Sequence, residues 1–87
     1  MAKYEIPLEV INRFGPFEEF HQDGSMVSVE LSNGKIINKV LLIYPNAVFA
    51  VQGEDKMPFD VKDVVTVFQT TDDLATRSSS DWVFFGK

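Results

Sequence analysis

From Ser25 onward the chain adopts a period of two. Val27, Val29 and Leu31 alternate with Ser28, Glu30 and Ser32 and then run into Asn33-Gly34. Such alternation marks a half-buried strand, one face in a core and one in water. Asn-Gly is a strong hairpin signal because both residues accept positive φ. An extended run over residues 35–44 supplies the return strand. If Asn33-Gly34 alone form the loop, Leu31 faces Ile36 but Val29 faces Asn38. If Ser32 joins the loop, Val29 faces Ile37 and Ser28 faces Asn38, yet Val27 meets Lys39. A β-bulge near Asn38-Lys39 satisfies both ends and brings Val40 opposite Val27. A second strand bent in this way is what a small barrel needs to close, so a barrel is expected rather than a flat sheet.

Turn residues divide the rest of the chain. Pro45-Asn46 makes the next turn, with Pro suited to its first central position. Residues 47–52 read as a third strand and Gly53-Glu54-Asp55 as a turn. Residues 56–61 read as a fourth strand, weakened by Pro58, which belongs at an edge or bulge. Lys62-Asp63 is a tight connection into a fifth strand over residues 64–70. Upstream, Pro7 suits a first helical turn, and Leu8, Ile11 and Phe14 follow at helical spacing before Gly15. A helix is therefore expected over residues 7–14, and a second turn of helix over 16–21 after Pro16. Segments this short are unstable alone and must dock on the sheet.

The second and third strands are apolar on both faces. With Val40, Leu42, Phe49 and Val51 inward, Leu41, Ile43, Val48 and Ala50 point outward and need cover. The N-terminal helix is the favoured cover; the C-terminal tail and another subunit are the alternatives. The tail itself divides in two. Residues 71–80 are polar and read as loop or partly helical, whereas residues 81–86 carry Trp82, Phe84 and Phe85. That aromatic stretch is either a strand docked on its own sheet or an anchor for a neighbour.

Composition removes several classes of function. The 87 residues form one domain, and the absence of cysteine excludes disulfides, thiolate metal sites and a cysteine nucleophile. No apolar run approaches a membrane span. The first residues lack the apolar centre of a signal peptide, so the cytoplasm is the expected compartment. A formal charge of -5 argues against duplex DNA, which is bound through many Lys and Arg contacts.

The pattern resembles the Sm-like family, whose members place an N-terminal helix before a five-stranded, strongly bent SH3-like barrel. Residues 27–35, leading through alternating apolar positions into Asn33-Gly34, look like its first motif. Residues 40–44, the Pro45-Asn46 turn and residues 47–51 follow as in the family. Residues 59–67, ending in Val64-Val65-Thr66-Val67, look like its second motif. The resemblance covers about residues 25–68 and the helix. It implies a barrel domain over residues 1–70, with residues 71–87 docking on that barrel or on a neighbouring subunit. It further implies closed homo-oligomeric rings of about five to seven subunits, joined by pairing the fourth strand of one subunit with the fifth of the next. Single-stranded RNA is the ligand that the resemblance implies, held by stacking and base-edge hydrogen bonds. The chain departs from the family at four places. Lys39 stands where a glycine is common, Pro45 replaces an acidic residue, and Ala47 replaces the stacking side chain. At the usual basic pair, Lys62 is followed by Asp63.

Candidate residues follow from both readings. Tyr44, Asn46 and Lys62 are the RNA-contact candidates, Asn46 offering a donor and an acceptor and Lys62 a phosphate contact. Their structural alternatives are a core Tyr44, a turn-forming Asn46 and a solvated Lys62. Phe59, Val65, Val67, Phe68 and Trp82 are the candidates for the oligomer interface. His21 is expected on an exposed loop, without partners for a triad or metal cluster. Glu18-Glu19 and Asp72-Asp73 point to different faces of any regular element, so neither forms an acid–base dyad. Asp60 and Asp63 suit capping or turn hydrogen bonds. With no Gly-rich phosphate loop either, an enzyme, a metal and a cofactor are not expected. The competing function is an SH3-like protein-interaction module that binds no nucleic acid.

Overall fold

The computed structural model describes residues 4–77 and 81–85. Its centre is one antiparallel five-stranded sheet with a short N-terminal helix. Helix α1 spans Leu8–Phe14, and the strands are β1 (Glu19–His21), β2 (Gly24–Leu31), β3 (Ile36–Ile43), β4 (Ala47–Val51) and β5 (Val64–Phe68). A one-turn 3-10 helix, Val61–Asp63, leads into β5, and helix α2 (Thr71–Ala75) follows it. None of the helices among the described residues is long and apolar enough to cross a membrane.

The hairpin register combines the two that the sequence offers. Val29 faces Ile37 and Val27 faces Val40, with a register shift between Val27 and Val29. Asn38 and Lys39 thus share the place opposite Ser28, and Lys39 takes φ +56°. Left-handed backbone is costly for a residue with a Cβ, and the burial of Val27, Val29 and Val40 on one face outweighs that cost. Gly34 takes φ +88° in the turn.

Further register shifts lie in the β1, β4 and β5 pairings, and those in β4 and β5 escape the alternation pattern. In β4 the partners change from Leu41–Ala50 to Leu42–Val48, so Phe49 is the extra residue. Val48 and Val51 therefore enter one core while Phe49 and Ala50 lie on the other side. This exchanges the expected inward Phe49 and outward Val48, because a bulge reverses the faces of everything beyond it. In β5 the partners change from Glu30–Thr66 to Leu31–Val64, leaving Val65 extra and 43% exposed while Val64 and Val67 are both buried.

Two expected elements are replaced. Residues 16–21 form no helical turn; β1 occupies their end, and His21 closes that strand rather than standing on a loop. Residues 56–61 form no strand. Pro58 has no N–H to give to a ladder, Phe59 is drawn into the core, and the Asp60 carboxylate accepts the Lys62 N–H at 2.9 Å to start the 3-10 turn. The sheet consequently does not close into the expected barrel. Its order is β1-β2-β3-β4, with β5 on β2 beside β1, and β4 and β5 do not pair. β1 takes the start of β2 and β5 its end. Between them the Gln69 side chain accepts from Glu18 N–H at 2.9 Å and donates to the carbonyls of Glu18 and Met26, acting as a missing piece of strand.

The main core lies between α1 and one face of the sheet, with Val10 and Ile11 meeting Val27, Val29, Val40 and Leu42. The helix therefore joins the inner core rather than covering the outer face. A second, smaller cluster of Met26, Leu41 and Ala50 occupies that outer face, and Phe20, Phe49, Ile43 and Trp82 pack on it.

Candidate functional site

A mainly apolar cleft of about 350 Å³ lies between the end of α1 and the β3–β4 turn. Its apolar walls are Ile11, Pro16 and Phe17 on one side and Leu42, Tyr44 and Pro45 on the other, with Asn12, Glu19 and Ser25 as polar members. Local sequence chemistry shapes both walls. The Gly15 N–H donates to the Ile11 carbonyl at 2.7 Å and ends α1. A Cβ at Gly15 would stand 2.9 Å from that carbonyl, so the chain can turn here so tightly only with glycine. Pro16 and Pro45 both follow cis peptide bonds. On the opposite wall the Tyr44 ring is 72% exposed, although aromatic rings usually bury themselves.

Of the three RNA-contact candidates, Tyr44 lies in this cleft and is not a core residue. Asn46 is 7% exposed and already engaged, its Nδ2 donating to the Ile6 carbonyl at 2.8 Å while its backbone carbonyl accepts the Ile6 N–H at 2.9 Å. It fastens the N-terminal segment to β4. Lys62 is exposed on the 3-10 turn, whose Asp63 carbonyl accepts the Ser32 N–H at 2.8 Å. That turn belongs to the hairpin end of β3, whereas Tyr44 follows its other end. The three candidates are thus divided among a cleft wall, a buried tie and a solvated turn.

The five interface candidates are divided as well. Phe59 and Val67 are buried in the main core, Val65 faces outward, Phe68 is half-buried, and Trp82 packs on its own sheet. The strand expected over residues 56–61, which would serve ring pairing, is not formed.

One buried polar cluster was missed in the sequence. Asp73 is 1% exposed, and its carboxylate accepts the Ser28 hydroxyl at 2.6 Å, the Thr70 N–H at 3.0 Å and the Lys39 N–H at 3.2 Å. The Thr70 hydroxyl accepts the Asp73 N–H in return, completing a capping box for α2. The Ser28 hydroxyl has two acceptors within reach, the Asp73 carboxylate at 2.6 Å and Asn38 Oδ1 at 2.8 Å, and its single proton serves one of them at a time. The signal was Thr-x-x-Asp at residues 70–73, a capping-box spacing. The cluster ties α2 to the β3 bulge. Its two buried members, Ser28 and Asp73, are both partnered, which suits a structural tie better than chemistry. Among the described residues no cluster of His, Cys, Asp or Glu could hold a metal ion. No family model matches the chain, and no curated protein or solved structure matches it either.

Proposed function

We propose that the chain is a small, non-catalytic binding module, an open variant of the SH3-like design. Its ligand is a short apolar segment of a partner protein that carries a positive charge. The observation that carries this reading is the cleft, with the exposed Tyr44 ring opposite Pro16 and Phe17. Concave, mainly apolar sites with a few polar groups are the usual form of a binding site. Tyr is favoured in interfaces because one end is apolar and the other bonds to water or a partner. Glu19 in the cleft and the chain's formal charge of -5 favour a cationic segment and repel phosphate. The left-handed Lys39, standing where the Sm-like family commonly has glycine, supports kinship of the bent hairpin. The missing strand over residues 56–61 and the engaged Asn46 amide weigh toward a protein ligand rather than an RNA-binding ring.

The test is selection of twelve-residue peptides by the immobilised full chain, followed by titration of the winners against wild type and Tyr44→Asp. Tyr44 is exposed, so the substitution spares the core. Selected peptides rich in apolar and basic residues, bound at least tenfold more weakly by Tyr44→Asp, are expected. Peptides indifferent to Tyr44→Asp would overturn the cleft as the site. Light scattering that gives a multiple of 9.8 kDa, with oligo-U bound at ~0.1 M salt, would replace this reading with the ring.

A further inference from the structure

The cleft has one charged residue among its described lining, and it is acidic: Glu19 lines it, and no Lys or Arg does. The sheet fixes where that carboxylate stands. Glu19 pairs with Ser25 across β1 and β2, and Ser25 pairs with Leu42 across β2 and β3. Directly opposed residues of neighbouring strands share a face. The three therefore form one row, from the buried Leu42 over the buried Ser25 to the exposed Glu19. Strands lie roughly 5 Å apart, so the row is about 10 Å across. Tyr44 follows Leu42 by two positions, and its N–H donates to the Asp23 carbonyl at 2.7 Å. Asp23 in turn gives its own N–H to the Glu19 carboxylate at 3.3 Å. The backbone of Asp23 thus links the residue that bears the exposed ring to the residue that bears the charge.

Ring and carboxylate bound one concavity, and the half-buried Phe17 adds a second aromatic side chain to it. An aromatic face attracts a cation through its quadrupole, and a carboxylate attracts it through charge. A lysine ammonium is compact and strongly hydrated, so apolar walls suit it poorly. A guanidinium is planar and weakly hydrated, stacks on a ring, and bonds in its own plane to a carboxylate. The chain already holds an arginine against a ring. At Phe20, the next residue of β1, the Arg77 guanidinium lies 5.4 Å from the ring centre while its Nη1 donates to the Leu74 and Thr76 carbonyls at 2.8 and 3.0 Å. Given the cleft as the binding site proposed above, we infer that the positive charge of the partner segment is an arginine, whose guanidinium stacks on the Tyr44 ring and pairs with the Glu19 carboxylate.

The probes are acetylated five-residue peptide amides: Ala-Leu-Arg-Leu-Ala, and the same sequence with lysine or citrulline in place of arginine. Citrulline keeps the shape of arginine without its charge. Each is titrated into the full chain and followed by amide shifts. The arginine peptide is expected to bind about tenfold more tightly than the citrulline peptide and about threefold more tightly than the lysine peptide. Its shifts should centre on Phe17, Glu19 and Tyr44. Glu19→Gln should cut the advantage over citrulline to about threefold. Tyr44→Leu should abolish the advantage over lysine, and Tyr44→Phe should keep it. Both side chains are exposed, so these variants spare the core. Equal affinity for arginine and citrulline would overturn the proposal and leave the cleft as a purely apolar site. Equal affinity for arginine and lysine, or an unchanged preference in Tyr44→Leu, would overturn the stacking. Shifts centred on Phe20 and Leu74 would place the arginine on the outer face and overturn its assignment to the cleft. If none of the three peptides shifts the cleft residues, the cleft fails as the binding site and the arginine fails with it.

Discussion

The two faces of the sheet are both covered, but by different means. On the inner face thirteen buried apolar side chains form one continuous cluster, closed by a helix. On the outer face, three buried apolar residues lie under separate aromatic groups, and the neighbouring ground is polar, with Ser28 and Asp73 joined beneath α2. The inner face distributes its stability over many contacts. The outer face draws on fewer buried side chains: Asp73 ties α2, Trp82 covers Met26, Leu41 and Ala50, and Phe20 packs there from β1, with the Arg77 guanidinium 5.4 Å from the Phe20 ring centre. Elements with few buried contacts open before the inner core, which opens only with the whole fold.

Neighbouring leucines give the sharpest test, since Leu42 and Leu41 are 3% and 2% exposed on opposite faces. Leu42→Ala should cost about 3–4 kcal/mol in urea unfolding, because the helix-closed core cannot collapse around the gap. Leu41→Ala should cost only about 2 kcal/mol, as the aromatic cover can settle into the space. Equal losses would show that the outer face is as rigid as the inner one. The polar half of the outer face is probed by Asp73→Ala, which strands the Lys39 and Thr70 N–H groups and leaves the Ser28 hydroxyl only Asn38. A loss of about 3 kcal/mol is expected, with amide exchange rising first in α2. Exchange that rises equally in all strands would argue that α2 is integral to the main core.

Smaller effects are expected where backbone geometry meets each face. Gly15→Ala should cost about 1–2 kcal/mol in the same unfolding assay, since its Cβ would press on the Ile11 carbonyl at the end of α1. Lys39→Gly should do the reverse. Glycine relieves the left-handed strain at φ +56°, offset in part by its greater freedom when unfolded, for a net gain of up to about 1 kcal/mol. A loss at Lys39→Gly would mean that the lysine side chain itself anchors the bulge.

The hairpin shows how much of this was legible in the sequence. Val27, Val29, Ile37 and Val40 can share one face only if an extra residue is inserted near Asn38-Lys39, so simple counting located the first bulge. The bulges at Phe49 and Val65 were not legible, because adjacent apolar residues, Val48 to Val51 and Val64-Val65, let either register bury something. Residues 16–21 misled for a related reason: Phe17 and Phe20 are three apart, a helical spacing, yet Phe20 serves β1 and covers Met26. For the cleft, Tyr44 was visible as a candidate. Its partners Pro16 and Phe17 lie about 28 positions upstream and become neighbours only through folding.

The sequence alone determined the β-rich class, the N-terminal helix, the Asn33-Gly34 hairpin with its bulge, and the surplus of apolar surface that needed cover. These follow from short-range periodicity and from the φ angles that Gly, Asn and Pro accept. Only the tertiary structure decided which segment covers which face, and that the sheet stays open. It also turned Asn46 and Asp73 into internal ties. Those outcomes depend on competition among distant segments for the same apolar surfaces and unpaired backbone groups. Such competition is settled by packing in three dimensions, and local pattern carries no record of it.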